Sequence, residues 1–188
     1  MRILWIVEKE RTMRKLAGKN VSRVIDLLSE RLTFERAGVK LYDKILPRMR
    51  SNAAARRMLD QMQEHRDEEK EHEEWLEEQI RSLGGDPHTP SEKSILVLAE
   101  SRGIEHVIER DPRLPHDFHA LLTAELADNA GWDLLVQLAD EVGDREAKKE
   151  FKKRLHEEAQ HLLFVRKAVE QFAKAEILGH PQELLAGR

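Results

Sequence analysis

The chain has 188 residues, no cysteine and a formal net charge of −4, and 36% of it is charged, with both signs interspersed. Such a length suits one domain with a real core, the absence of cysteine excludes disulfides, thiolate metal sites and cysteine nucleophiles, and the slight acidity gives nucleic-acid binding no support. No apolar run approaches the ~20 residues of a membrane span, and the short Ile3–Val7 run lacks the length and cleavage site of a secretory signal, so a cytoplasmic protein with neither membrane nor nucleic acid as partner is expected.

Strand signals are almost absent, and apolar residues recur at three and four. Residues 1–20 read as an N-terminal arm docking through Trp5, or as an upstream extension if the chain starts at Met13, and as peripheral in both cases. The first long helix is predicted over about Val21–Leu46, stopped by Pro47. Ser51 is expected to cap a second helix running to about Leu83, where Gly84-Gly85-Asp86-Pro87 ends it. The stretch from Gly84 to Leu114 is a long crossover with a helical patch near Ser91–Arg110. A third helix follows from Pro115, a good first-turn proline, to Val142. Gly143 breaks the chain, Asp144 caps a fourth helix to about Ile177, and Gly179 and Pro181 end it, leaving residues 179–188 as a tail. Short connections make two antiparallel hairpins, and the crossover joins them into one bundle domain over residues 21–178.

The two hairpins carry the same motif. Glu68-Glu69-Lys70-Glu71-His72 and Glu157-Glu158-Ala159-Gln160-His161 both read Glu-Glu-x-x-His, and Glu35 and Glu125 precede the second glutamates by 34 and 33 positions. At ~100° per residue, positions seven apart differ by only ~20°. Glu35 therefore lines up with Leu28 and Tyr42, Glu69 with Met62 and Leu76, Glu125 with Phe118 and Trp132, and Glu158 with Phe151 and Val165. All four glutamates fall on apolar stripes, with His72 and His161 beside them. A buried carboxylate without a partner is expensive, and two divalent cations would neutralise four. A histidine three residues on lies on the same helix face and adds one nitrogen ligand per ion. Mixed oxygen and nitrogen donors suit iron or manganese and admit zinc or cobalt. The competing reading pairs the glutamates with arginines, since Arg31 and Arg154 stand four residues before Glu35 and Glu158. It accounts for one or two buried glutamates, not for four with two histidines.

The six positions and the helix order, over about residues 21–176, resemble the ferritin-like di-iron carboxylate superfamily, its rubrerythrin-like branch in particular. The resemblance implies an all-α, ferritin-like antiparallel four-helix bundle binding two iron ions, with manganese as the alternative. Glu69 and Glu158 would bridge the metals, Glu35 and Glu125 would be terminal ligands, and His72 and His161 would bind one metal each. The implied activity is that of an oxidoreductase acting on dioxygen or peroxide. An iron-binding or storage protein, a dimanganese catalase-like enzyme and a non-catalytic helical module are the other readings, and a homodimer is an admissible assembly. No cysteine-bearing rubredoxin module is present, so any electron donor is external. Rubrerythrins often have two glutamates where this chain offers Glu125 and Asp128; Asp128, ~60° from Glu125 on the helix, is either an extra ligand or, as expected here, an exposed aspartate.

Among the remaining residues, Tyr42 reads as a core tyrosine with its hydroxyl bonded or as a redox relay. His65 either bonds a ligand or fills a bundle layer. Trp132 reads as core, His156 as exposed, and His106, His116 and His119 are assigned no chemistry. Glu68 and Glu157 point ~100° away from the proposed ligands and are expected at the surface with no part in the site.

Overall fold

A computed structural model of the chain describes residues 12–53 and 55–179; Trp5 and the tail beyond Gly179 lie outside the described residues. Every regular element among the described residues is a helix, with no strand among them. A single turn, α1 (Arg14–Ala17), precedes α2 (Val21–Arg50), a 3-10 turn (Ala55–Met58), α3 (Leu59–Ser82), α4 (Glu92–Arg110), α5 (Leu114–Glu141) and α6 (Arg145–Leu178). None of the described helices is long and apolar enough to cross a membrane.

Local chemistry sets most of the ends. Asn20 caps α2 by accepting the Arg23 N–H at 3.2 Å. Ser91 and Ser94 form a reciprocal capping box at the start of α4, and Asp26 of α2 accepts the Lys93 N–H at 3.0 Å, tying α4 to α2. Asp144 caps α6 through the Ala147 N–H, while its second oxygen accepts the N–H groups of Lys15 and Leu16 at 2.8 and 3.0 Å. That double use pins α1 across the α5–α6 turn. The arm expected to be peripheral thus buries Met13 and Leu16 in the core.

Two boundaries differ from the local rules. α2 runs through Pro47 to Arg50. A proline in the last turn gives up its own bond to the Asp43 carbonyl and crowds that group, and the turn is held in spite of it by fully buried Met49 and by Arg48, whose guanidinium pairs with buried Asp117 of α5. Ser51 consequently closes α2 rather than opening α3, its N–H returning to the Arg48 carbonyl. Asn52 takes the capping role instead, accepting the Ala55 N–H at 3.1 Å ahead of the 3-10 turn.

α2 packs along α3, α5 along α6, and α4 lies across α2 and α5. The apolar core is split in two. One cluster gathers Tyr42, Ile45, Met49, Met62, Phe118, Leu121, Val165 and Phe172; the other gathers Leu28, Leu32, Leu76, Ile80, Trp132, Leu135 and Phe151. In the numbering of each long helix the gap between the clusters holds the charged residues of the repeated motif: Glu35 on α2, Glu69 and His72 on α3, Glu125 on α5, Glu158 and His161 on α6.

Candidate metal centre

The six residues meet in that gap, and none is more than 2% exposed. Donor atoms of Glu35, His72 and Glu158 lie within 4.8 Å of one another, and so do those of Glu69, Glu125, Glu158 and His161. Glu158 belongs to both groups. Glu69 also comes within that reach of Glu35 and Glu158, together with Asp128. The result is two ligand groups that share Glu158, with Glu69 lying between them.

Their unpartnered polar atoms are the main chemical fact. Glu35 Oε2, Glu69 Oε2, His72 Nδ1, Glu125 Oε2 and both oxygens of Glu158 are buried with no hydrogen-bond partner among the described residues. Nδ1 of His72 approaches Glu158 Oε1 to 2.8 Å, but without hydrogen-bond alignment. Folded proteins satisfy nearly all such atoms, and leaving one bare costs ~1–3 kcal/mol. A cluster of them turned inward fits a cation pair, and a set of carboxylates and imidazoles with no sulfur fits iron or manganese.

Protons carry the balance in the metal-free protein. Burial, with the charges of Glu158 and Glu35 close by, holds the Glu69 carboxyl well above its usual range. Burial pushes Glu125 up to about 8, against the opposing pull of His161. Burial would raise Glu158 too, but the imidazoles of His161 and His72 close by outweigh it and bring Glu158 down to about 2. Both imidazoles sit well above the ordinary histidine value: burial opposes this, but Glu35, Glu157 and Glu158 hold the proton on His72, and Glu158, Glu68 and Glu69 hold it on His161. Cations entering the site would displace these protons.

Glu68 and Glu157 are not idle surface residues. Glu68 Oε2 accepts from His161 Nε2 at 2.7 Å, and Glu157 Oε2 from His72 Nε2 at 2.9 Å. The first glutamate of each motif therefore grips the histidine of the other hairpin. A side chain ~100° off the buried stripe meets the seam between α3 and α6 rather than open water. With Nε2 bonded outward, each histidine presents Nδ1 to the centre, the arrangement in which a carboxylate orients a metal-binding imidazole. The signal available in the sequence was the repetition itself, since both copies carry the extra glutamate.

A second exchange links α2 and α5. Tyr42 donates its hydroxyl to Glu125 Oε1 at 2.6 Å, and Trp132 donates its indole N–H to Glu35 Oε1 at 2.8 Å. Each donor stands seven positions after the lone glutamate of its own helix and bonds the lone glutamate of the other. Gly38 completes the cradle: a Cβ there would lie 2.5 Å from Glu69 Oε2.

Asp128 is buried, not exposed, because Arg31 is buried with it. Arg31 Nη1 lies 2.6 Å from Asp128 Oδ1 and 3.2 Å from the Asp128 carbonyl. The guanidinium sits over Gly131, where a Cβ would come within 2.0 Å of Arg31 Cζ. Arg154 bonds Glu150 and stacks on Trp75, with Cζ 3.7 Å from the ring centre. Neither arginine forms an ion pair with a glutamate of the centre. His65 also bonds none of them; its ring stacks on His161 at 4.3 Å, and burial with the neighbouring His161 charge lowers it to about 3, so it is uncharged.

The family model described as Domain of unknown function (DUF892) matches residues 25–178, and the chain belongs to that family. No curated protein and no solved structure matches the chain.

Proposed function

We propose that this DUF892-family chain is a ferritin-like dinuclear metal protein of the rubrerythrin-like kind, holding two iron ions and acting as an oxidoreductase on dioxygen or peroxide. The observation that carries the reading is the inward convergence of unpartnered donor atoms from Glu35, Glu69, His72, Glu125 and Glu158. Glu158, which belongs to both ligand groups, and Glu69, which lies within reach of Glu35 as well as of Glu125, would bridge the ions. Glu35 with His72, and Glu125 with His161, would complete the two ends. Bound there, an iron pair supplies the two electrons that reduction of dioxygen or peroxide takes.

The chain's own residues do the rest. Glu157 and Glu68 hold the two imidazoles with Nδ1 inward. Tyr42 and Trp132 each tie down one oxygen of a terminal carboxylate and leave the other free. The apolar clusters on either side keep bulk water from the charged layer. In the metal-free state the imidazoles and the Glu69 and Glu125 carboxyls store the protons that cations would release. Electrons for repeated turnover would come from an external donor.

Anaerobic loading with ferrous iron, followed by metal analysis, tests the reading. Two ions per chain are expected, with an absorbance change on adding peroxide. Occupancy well below two for both iron and manganese would sink it.

A further inference from the structure

Trp132 is fully buried, bonds Glu35, and meets the His72 ring at 5.7 Å between centroids. On its other side it meets Trp75 at 6.2 Å, and Trp75 is only partly buried. Phe151 contacts both indoles, at 6.0 and 6.2 Å. The two tryptophans thus make an unbroken aromatic line from a carboxylate of the centre to the surface of α3. The corresponding line from Glu125 runs through buried Tyr42 to His65 and Phe164. Imidazole and phenyl rings resist one-electron oxidation, so that side has no comparable exit.

We infer that Trp132 and Trp75 are the route by which single electrons pass from an external one-electron reductant to the centre. This rests on the function proposed above. Tunnelling falls off exponentially with distance, and it falls off less steeply through closely spaced indole rings than through aliphatic core. In each event one electron would tunnel from the reductant to an oxidised metal ion held at the centre, through the orbitals of Trp75 and Trp132 and without either indole being oxidised. The reductant loses one electron, the ion gains one, and no covalent bond between heavy atoms changes. Arg154 lies over the face of Trp75, and its positive charge disfavours an oxidised ring there, so Trp75 passes electrons without holding a vacancy at the surface.

The experiment uses the full chain with Trp5→Phe, which leaves two of its three tryptophans. In the iron-loaded, oxidised protein, re-reduction by a photogenerated viologen radical is followed by absorbance. Adding Trp75→Phe is expected to slow that step by about tenfold or more with metal content unchanged; an unchanged rate at full metal content overturns the route. In the metal-free protein, a ruthenium(III) photo-oxidant is used and the indole radical is read by transient absorbance. A radical is expected in the Trp5→Phe chain and after Trp132→Phe, but not after Trp75→Phe; a full signal after Trp75→Phe overturns the route. A Trp5→Phe chain that holds no metal would overturn the proposed function instead, and the metal-free arm would still decide whether Trp75 is the entry to the indole pair.

Discussion

Glu68 and His161 are 93 residues apart in the chain and 2.7 Å apart in space, and Glu157 and His72 repeat the pairing from the opposite direction at 2.9 Å. The two copies of the motif are therefore interlocked. Each supplies one histidine to the centre and the carboxylate that aims the other copy's histidine.

Removing one of these carboxylates should leave the ligands in place but loosen their aim. Glu68→Gln or Glu157→Gln is expected to weaken metal binding by about 10–100-fold, read by competition against a chelator of known affinity. Each glutamate also helps hold the proton on a buried imidazole, so the metal-free melting temperature should fall modestly, and affinities are compared where both forms are folded. An unchanged affinity in both variants would show that the pairing does not serve the site.

Gly38 separates stability from binding. Alanine in a helix interior is worth roughly 0.5–1 kcal/mol over glycine, so Gly38→Ala should keep or raise the melting temperature of the metal-free protein. Its new Cβ would displace the Glu69 carboxylate, whose Oε2 stands 2.5 Å from that position and can swing aside. Metal content per chain should then fall while the fold persists. Full occupancy with native affinity would show that Glu69 does not need its present position.

The helical character of the chain and the convergence of the six residues were legible because a period near 3.6 converts spacing into a face. The partners across the bundle were not. Placing Glu68 and Glu157 at the surface used the angle from the stripe alone, and that angle means water or a neighbouring helix depending on which helices touch. Asp128 misled for the same reason, since its burial depends on Arg31, 97 residues away. Tyr42 and Trp132 fell on the right stripes, but their bonds run to the other helix. At Pro47 and Ser51 a local stop and a local cap gave way to the burial of Met49 and the Arg48–Asp117 pair.

The metal-free protein should lose stability as pH rises. Glu125 goes from the ordinary 4.5 to about 8 on folding, and His72 and His161 rise well above 6.5. Between these values the folded state binds more protons than the unfolded one, so unfolding free energy falls with increasing pH. Glu158, lowered to about 2, has the opposite sign: its contribution is complete above 4.5 and is lost as pH drops toward 2. Denaturation midpoints should therefore peak near pH 5 and decline toward pH 8. Saturating divalent metal replaces the protons and should remove or reverse that decline; the same pH slope with and without metal would contradict the site.

Arg31 adds a third tie between α2 and α5 beside the centre, through Asp128. It is 2% exposed, and it is the cation opposing the burial and the charges of Glu35 and Glu158 that hold the Asp128 carboxyl well above its usual range, so removing it leaves a buried carboxyl without its partner. Breaking one side of such a pair typically costs ~3–5 kcal/mol, and Arg31→Ala should show a loss of that size in urea denaturation. Gly131→Ala should fall in the same direction, because its Cβ would stand 2.0 Å from the guanidinium carbon and the buried fork has nowhere to turn. Arg31→Met with Asp128→Leu removes both charges together, leaves no carboxylate stranded, and should recover most of the loss. Failure of the double variant to recover would mean that Arg31 matters through its packing against Phe34, 4.8 Å away, more than through its charge.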